Sequence, residues 1–189
     1  MAVLLMTEPS GARFPSGNVN VRVSPREAAR AGAQPRRFTT ETTTGVKSRP
    51  TLLPAATARR GCEIGTGWAA SLTQGAGQFC TNPGLVLGID GPDLDRFVQS
   101  AAEALERKSA QTMLTAGIHG AYRSGVETMA ATPGVQRVAE GQTASTLHNA
   151  AQAALFLTDA RTLMEQPALS SEVFGPASLV VRAKDADEL

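Results

Sequence analysis

Aromatic residues are scarce in this chain. Six Phe, one Tyr and one Trp make 4% of its 189 residues, so a core has to be built chiefly from aliphatic side chains, for which a hydrophobic fraction of 42% suffices. Cysteine is scarcer still. Cys62 and Cys80 do not make a disulfide framework, and neither stands at metal-ligand spacing from His119 or His148, so no metal site is expected. Long apolar runs are missing: none approaches the ~20 residues a membrane span needs. Met1–Met6 is apolar but too short for a signal h-region, and no positive stretch precedes it. Glu8 and the many prolines and glycines argue against a mitochondrial presequence. A reducing cytoplasm is the expected compartment, with neither a membrane nor a nucleic acid as partner.

Net charge is also lacking, at +1, but its distribution is uneven. Residues 1–60 carry ten Lys/Arg against three acids, and residues 61–189 carry eight against fourteen. A basic arm for an anionic partner is one reading of such asymmetry. The reading taken here is a solvated, poorly ordered leader, because Gly, Pro, Arg, Ser and Thr follow in no stable period up to residue 60. Only Asn18–Val23 alternates like a strand. A length of 189 residues suits one domain and a small appendage, which divides the chain into a leader, 1–60, and a folded part, 61–189.

The folded part reads as α/β. A helix is expected from about Ile64 to Leu72, running into Gly75-Ala76-Gly77. Gly84–Ile89 is an apolar run of strand length, followed by a turn at Asp90-Gly91-Pro92. Leu94, Phe97, Val98, Ala101, Ala102 and Leu105 recur at helical spacing and predict an amphipathic helix over 93–108, with Asp93 in its first turn and Arg107 and Lys108 in its last. Further helices are expected over 121–131 and 161–165, and buried strands over 153–158 and 178–182. Asp185–Leu189 reads as the start of another helix. Alternating strands and helices imply a mostly parallel open sheet with flanking helices.

Gly75-Ala76-Gly77-Gln78-Phe79-Cys80-Thr81-Asn82-Pro83-Gly84 carries the clearest chemistry. A lone cysteine is ordinarily a small buried hydrophobe. Here glycines upstream let backbone approach a ligand closely. A loop between a helix and a buried strand is also where α/β proteins place reactive groups. Amides beside the sulfur would hold a thiolate and then a developing oxyanion. Cys62, His119, His148, Trp68 and Tyr122 read as structural residues.

Gly77-Gln78-Phe79-Cys80-Thr81 resembles the Gly-Gln-x-Cys-Thr/Ser signature around the catalytic cysteine of the aldehyde dehydrogenase superfamily. Its surroundings from Leu72 to Gly84, with Met113-Leu114-Thr115-Ala116-Gly117-Ile118-His119, are similar to the branch holding α-ketoglutaric semialdehyde and NADP-dependent fatty aldehyde dehydrogenases. Glu172-Val173-Phe174-Gly175-Pro176 matches a second signature of that family, downstream of the first. The resemblance, over roughly Gly67–Leu189, implies part of a catalytic domain in which Cys80 is the nucleophile. It also implies that Glu172 binds the nicotinamide ribose hydroxyls and that Phe174 packs near the nicotinamide of NADP or NAD. The implied reaction oxidises a semialdehyde or aliphatic aldehyde to the acid through a thiohemiacetal and a thioester, in a family that forms homo-oligomers.

The match is incomplete. Residues 1–60 contain nothing similar to the family's nucleotide-binding domain and read as a divergent, rearranged or out-of-frame leader. Threonine stands in Thr43-Thr44-Gly45-Val46-Lys47-Ser48 where the family's general-base glutamate opens a segment of this kind, and Glu41 lies two residues away. The isolated chain is therefore expected to turn over poorly. Two other readings stay open: a non-catalytic remnant or assembly module, and a thiol esterase that needs Cys80 but no cofactor.

Overall fold

The computed structural model describes residues 51–52 and 54–189. Along the chain lie β1 (Thr51–Leu52), α1 (Pro54–Thr73), β2 (Leu85–Ile89), α2 (Pro92–Glu106), β3 (Gln111–Thr112), α3 (Ala116–Ala131), β4 (Gln136–Glu140), β5 (Ala150–Ala151), β6 (Ala154–Asp159), α4 (Ala160–Glu165) and β7 (Ala177–Ala183). The main sheet runs β1-β2-β7-β6-β4. Its first four strands are parallel, and β4 pairs antiparallel with β6 at the edge.

The middle strands are apolar on both faces because both faces are covered. On β7, Val180 packs with Val86, Leu155, Phe97 and Trp68 under α1 and α2. Its neighbours Leu179 and Val181 point the other way, into a cluster with Phe156, Met113 and the α3 residues Tyr122 and Met129. Continuous apolar runs of this kind are expected of parallel strands buried on both sides. The result is the expected α/β class: a mostly parallel sheet between layers of helix.

α1 and α2 pack closely. Trp68 meets Phe97 edge to face, with ring centroids 5.7 Å apart. Gly65 permits the crossing, since a methyl group there would lie 2.6 Å from the Phe97 carbonyl oxygen. Five of the six apolar positions expected to face inward on α2 are buried. Ala104 takes the place of Ala102, which is only half-buried. α2 ends at Glu106, so Arg107 caps it and Lys108 lies beyond, and neither is in the last turn.

The remaining differences from the sequence reading have local causes. α1 begins ten residues earlier than the expected Ile64, which places the composition boundary at residue 60 inside a helix, where Arg60 interrupts the helical backbone (φ −138°, ψ 24°). α3 begins at Ala116, five residues before the expected Ala121, because the Thr115 hydroxyl accepts a bond from the Ile118 amide and caps it. β4 escaped notice because only Ala139 on it is buried. Asp185–Leu189 forms a turn, its Asp185 carboxylate accepting the amides of Asp187 and Glu188. The expected strand at 18–23, the leader as far as residue 50, Glu41 and Thr43–Ser48 lie outside the described residues. Among the described residues no helix is long and apolar enough to cross a membrane, and no three His, Cys, Asp or Glu side chains group as metal ligands would.

Candidate active site

Two loops build the site. The first joins α1 to β2 and carries Cys80. The second, 171–176, leads into β7 and carries Glu172 and Phe174. Because β2 and β7 are adjacent and parallel, with Leu85 opposite Leu179, the loops that enter them emerge side by side. Both lie at the amino ends of the strands. Cys80 therefore stands, as expected, in a loop between a helix and a buried strand, at the edge of the sheet opposite the carboxyl ends where open α/β sheets generally bind ligands.

The two loops touch through backbone. A methyl group at Gly77 would lie 2.4 Å from the Gly175 carbonyl carbon and from the Pro176 nitrogen. No side chain fits there, and Gly77 has φ 66°, which also favours glycine. Further bonds extend the seam. The Leu179 amide donates to the Gly84 carbonyl at 3.1 Å, and the wholly buried Ser178 hydroxyl donates to the Pro83 carbonyl at 2.7 Å. The Gly77-Gln78-Phe79-Cys80 and Glu172-Val173-Phe174-Gly175-Pro176 segments, about 95 residues apart in the chain, thus meet through the backbone of Gly77, Gly175 and Pro176.

The first loop leaves α1 through three successive residues in the left-handed region: Gly75 (φ 55°), Ala76 (φ 56°) and Gly77. Ala76 is buried and is the costly member, at roughly 1–2 kcal/mol. Its amide is held by the Gln111 side-chain oxygen at 3.0 Å. The Phe79 ring folds back over Gly75, and the Gln78 side-chain oxygen accepts the Leu114 amide at 3.1 Å. Cys80 follows at the tip of a turn closed by the Asn82 amide on the Phe79 carbonyl. Both cysteines are exposed. Cys80 is therefore not the buried small hydrophobe that its residue type suggests, and Cys62 lies on α1, away from this loop.

The second loop is braced by α3. Val173 packs against Gly125 and the Tyr122 ring lies over Gly175, while Glu172 and Phe174 are exposed, Phe174 by 38%. The Tyr122 hydroxyl donates to the Gln152 carbonyl at 2.5 Å. Burial pushes its phenol well above the ordinary value of 10.0, Glu140 adding to the rise and Arg137 opposing it. His119 shares a hydrogen bond of 3.1 Å with the Ala150 carbonyl, and His148 is exposed. A cavity of about 90 Å³, lined by Leu52, Asp90 and Leu94 among others, lies at the opposite ends of the strands.

Cys80, Glu172 and Phe174, the candidates singled out by the sequence, lie on these two neighbouring loops. Sequence reasoning missed Gln111 and Asn82 as parts of the scaffold, while Tyr122, expected to be structural, is buried in the core behind the second loop. Asn82 stood inside the quoted motif, whereas nothing local marks Gln111, whose partner lies 35 residues away.

Comparison with known proteins gives the class: the chain carries a segment of the aldehyde dehydrogenase superfamily. Alpha-ketoglutaric semialdehyde dehydrogenase 2 of Azospirillum brasilense is 55% identical over 138 residues, 73% of this chain and 26% of that protein. Alpha-ketoglutaric semialdehyde dehydrogenase of Acinetobacter baylyi is 36% identical over 135 residues, 71% of this chain and 26% of that protein. The chain thus spans about a quarter of the length of these curated relatives. Among solved structures, a putative aldehyde dehydrogenase from Burkholderia cenocepacia superposes with a TM-score of 0.59 at 19% identity, over 75% of this chain and 31% of that one. An aldehyde dehydrogenase from Bacillus cereus gives 0.60 at 14%, over 75% and 29%. PnpE in complex with nicotinamide adenine dinucleotide gives 0.55 at 17%, over 67% and 28%. No family model matches the chain.

Proposed function

We propose that this chain supplies the thiol wall of an aldehyde-oxidising active site, with a semialdehyde of the kind named for its relatives as substrate. The observation that carries the proposal is the backbone seam between Gly77 and Gly175–Pro176, which joins the cysteine loop to the Glu172–Phe174 loop. In this reading the Cys80 sulfur bonds to the aldehyde carbon and forms a thiohemiacetal. NAD or NADP, when bound, supplies the hydride acceptor. The thioester left on Cys80 is then opened by water to release the acid.

The second loop fits such a cofactor. Glu172 presents an exposed carboxylate able to accept bonds from ribose hydroxyls, and Phe174 presents part of an exposed ring for the nicotinamide to lie against. α3 fixes that loop from behind through Val173 and Gly175. A small-molecule aldehyde, assembly with further copies of the chain and a cytoplasmic setting belong to the same reading.

The test is site-resolved alkylation of Cys80 and Cys62 by mass spectrometry, with and without α-ketoglutaric semialdehyde. Cys80 is expected to react faster than Cys62, and the aldehyde to protect Cys80 alone. Nicotinamide reduction is to be measured alongside, with loss in Cys80→Ser. Equal reactivity of the two thiols would sink the proposal in favour of a non-catalytic module. Ester hydrolysis that needs Cys80 but no nucleotide would favour the esterase.

A further inference from the structure

Asn82 lies two residues beyond Cys80 and takes no part in the chemistry above, yet it makes four hydrogen bonds around it. Its backbone amide donates to the Phe79 carbonyl at 3.0 Å, and its own carbonyl accepts from the Gly84 amide at 2.9 Å. Its side-chain amide donates to the Gly77 carbonyl at 3.0 Å and to the Leu72 carbonyl at 3.1 Å. Residues 77–82 are thereby closed into a ring with Cys80 inside it. One end of that ring is already held by the Gly175–Pro176 backbone. The other is tied to the last turn of α1, where carbonyls lack a helical partner.

We infer that Asn82 is the positioning residue for Cys80, its side-chain amide clamping the loop that holds the sulfur; this rests on the reading of Cys80 as nucleophile. Both acceptors are carbonyl oxygens, so the group between them has to supply two hydrogens. An amide does so, whereas a carboxylate of the same shape supplies none. Among the described residues the Cys80 side chain has no hydrogen bond of its own. The sulfur therefore goes where the backbone ring puts it. Placement on this scale matters because a nucleophile displaced by a fraction of an ångström loses its line of attack.

Asn82→Ala and the isosteric Asn82→Asp test the clamp in the full chain, and the aspartate keeps the size of the side chain should the alanine variant fold poorly. Two readouts are combined: amide hydrogen exchange over 76–84, and the ratio of Cys80 to Cys62 alkylation. The clamp predicts exchange faster by about tenfold, the equivalent of one ordinary hydrogen bond, in the loop but not in β6 or β7. It also predicts a Cys80-to-Cys62 ratio lower by roughly tenfold or more. Unchanged loop exchange overturns the inference. So does faster exchange throughout the sheet, which marks a purely structural residue, and so does local loosening that leaves a high ratio untouched. If the two thiols react alike in the unaltered chain, the nucleophile reading fails separately, and loop exchange alone decides the clamp.

Discussion

Single positions in this site are constrained by contacts that substitution can probe. Gly77→Ala combines a positive φ with a clash against backbone that cannot swing aside. A loss of about 2 kcal/mol or more is expected, read as a lower urea midpoint, with faster exchange in both loops. Tyr122 makes a pH prediction. Its folded-state pKa is raised, so its contribution to stability is whole below about pH 10 and is lost as pH rises from there through the folded value. Tyr122→Phe removes the bond to Gln152, costs about 1 kcal/mol near neutrality and flattens the alkaline fall in stability. Tyr122 is the chain's one tyrosine, so tyrosinate absorbance reports it alone, and deprotonation at the ordinary phenol value in the folded chain would contradict the burial argument.

At the scale of elements, two glycines of α1 should respond in opposite directions. Gly67 has open space around it, so Gly67→Ala gains helix propensity of about 1 kcal/mol with no clash. Gly65→Ala has the same gain available, but its methyl group meets the Phe97 backbone at 2.6 Å. Overpacking against a neighbouring helix costs about 1–3 kcal/mol, so the clash is expected to win and the net effect to be destabilising. Parallel urea melts decide between the two, and a stabilising Gly65→Ala would mean the α1–α2 crossing has room to open. The same scale explains which elements were legible. α2 shows its face in its spacing and was found to within two residues at each end. β3 and β5, of two residues each, carry no periodicity, and β4 buries only Ala139, so no apolar alternation marks it.

Across the whole molecule, Arg182 ties β7 to the β2–α2 junction by pairing with Asp90 and Asp95. Both acids are more than half exposed, so water screens the pairs. Arg182→Gln should cost only about 1 kcal/mol in dilute buffer and less in strong salt; an undiminished loss at high salt would mean the arginine acts through packing. Larger effects belong to the doubly covered sheet. Phe156→Ala removes a fully buried ring from the face shared with α3 and should cost about 3–5 kcal/mol, while loosening the loop that carries Glu172.

By itself the sequence determined the buried strands β2, β6 and β7 and the amphipathic α2, and it singled out Cys80, Glu172 and Phe174 as candidates, because apolar spacing and short signatures are local properties. It could not determine that the two signatures meet, since Gly77 and Gly175 touch only when β2 and β7 lie side by side. Nor could it single out Gln111 and Asn82, whose side-chain amides act on N–H and carbonyl groups that the folded backbone delivers. Tertiary structure decided those points because backbone contact and hydrogen-bond closure depend on distances in space, which residue order alone does not encode.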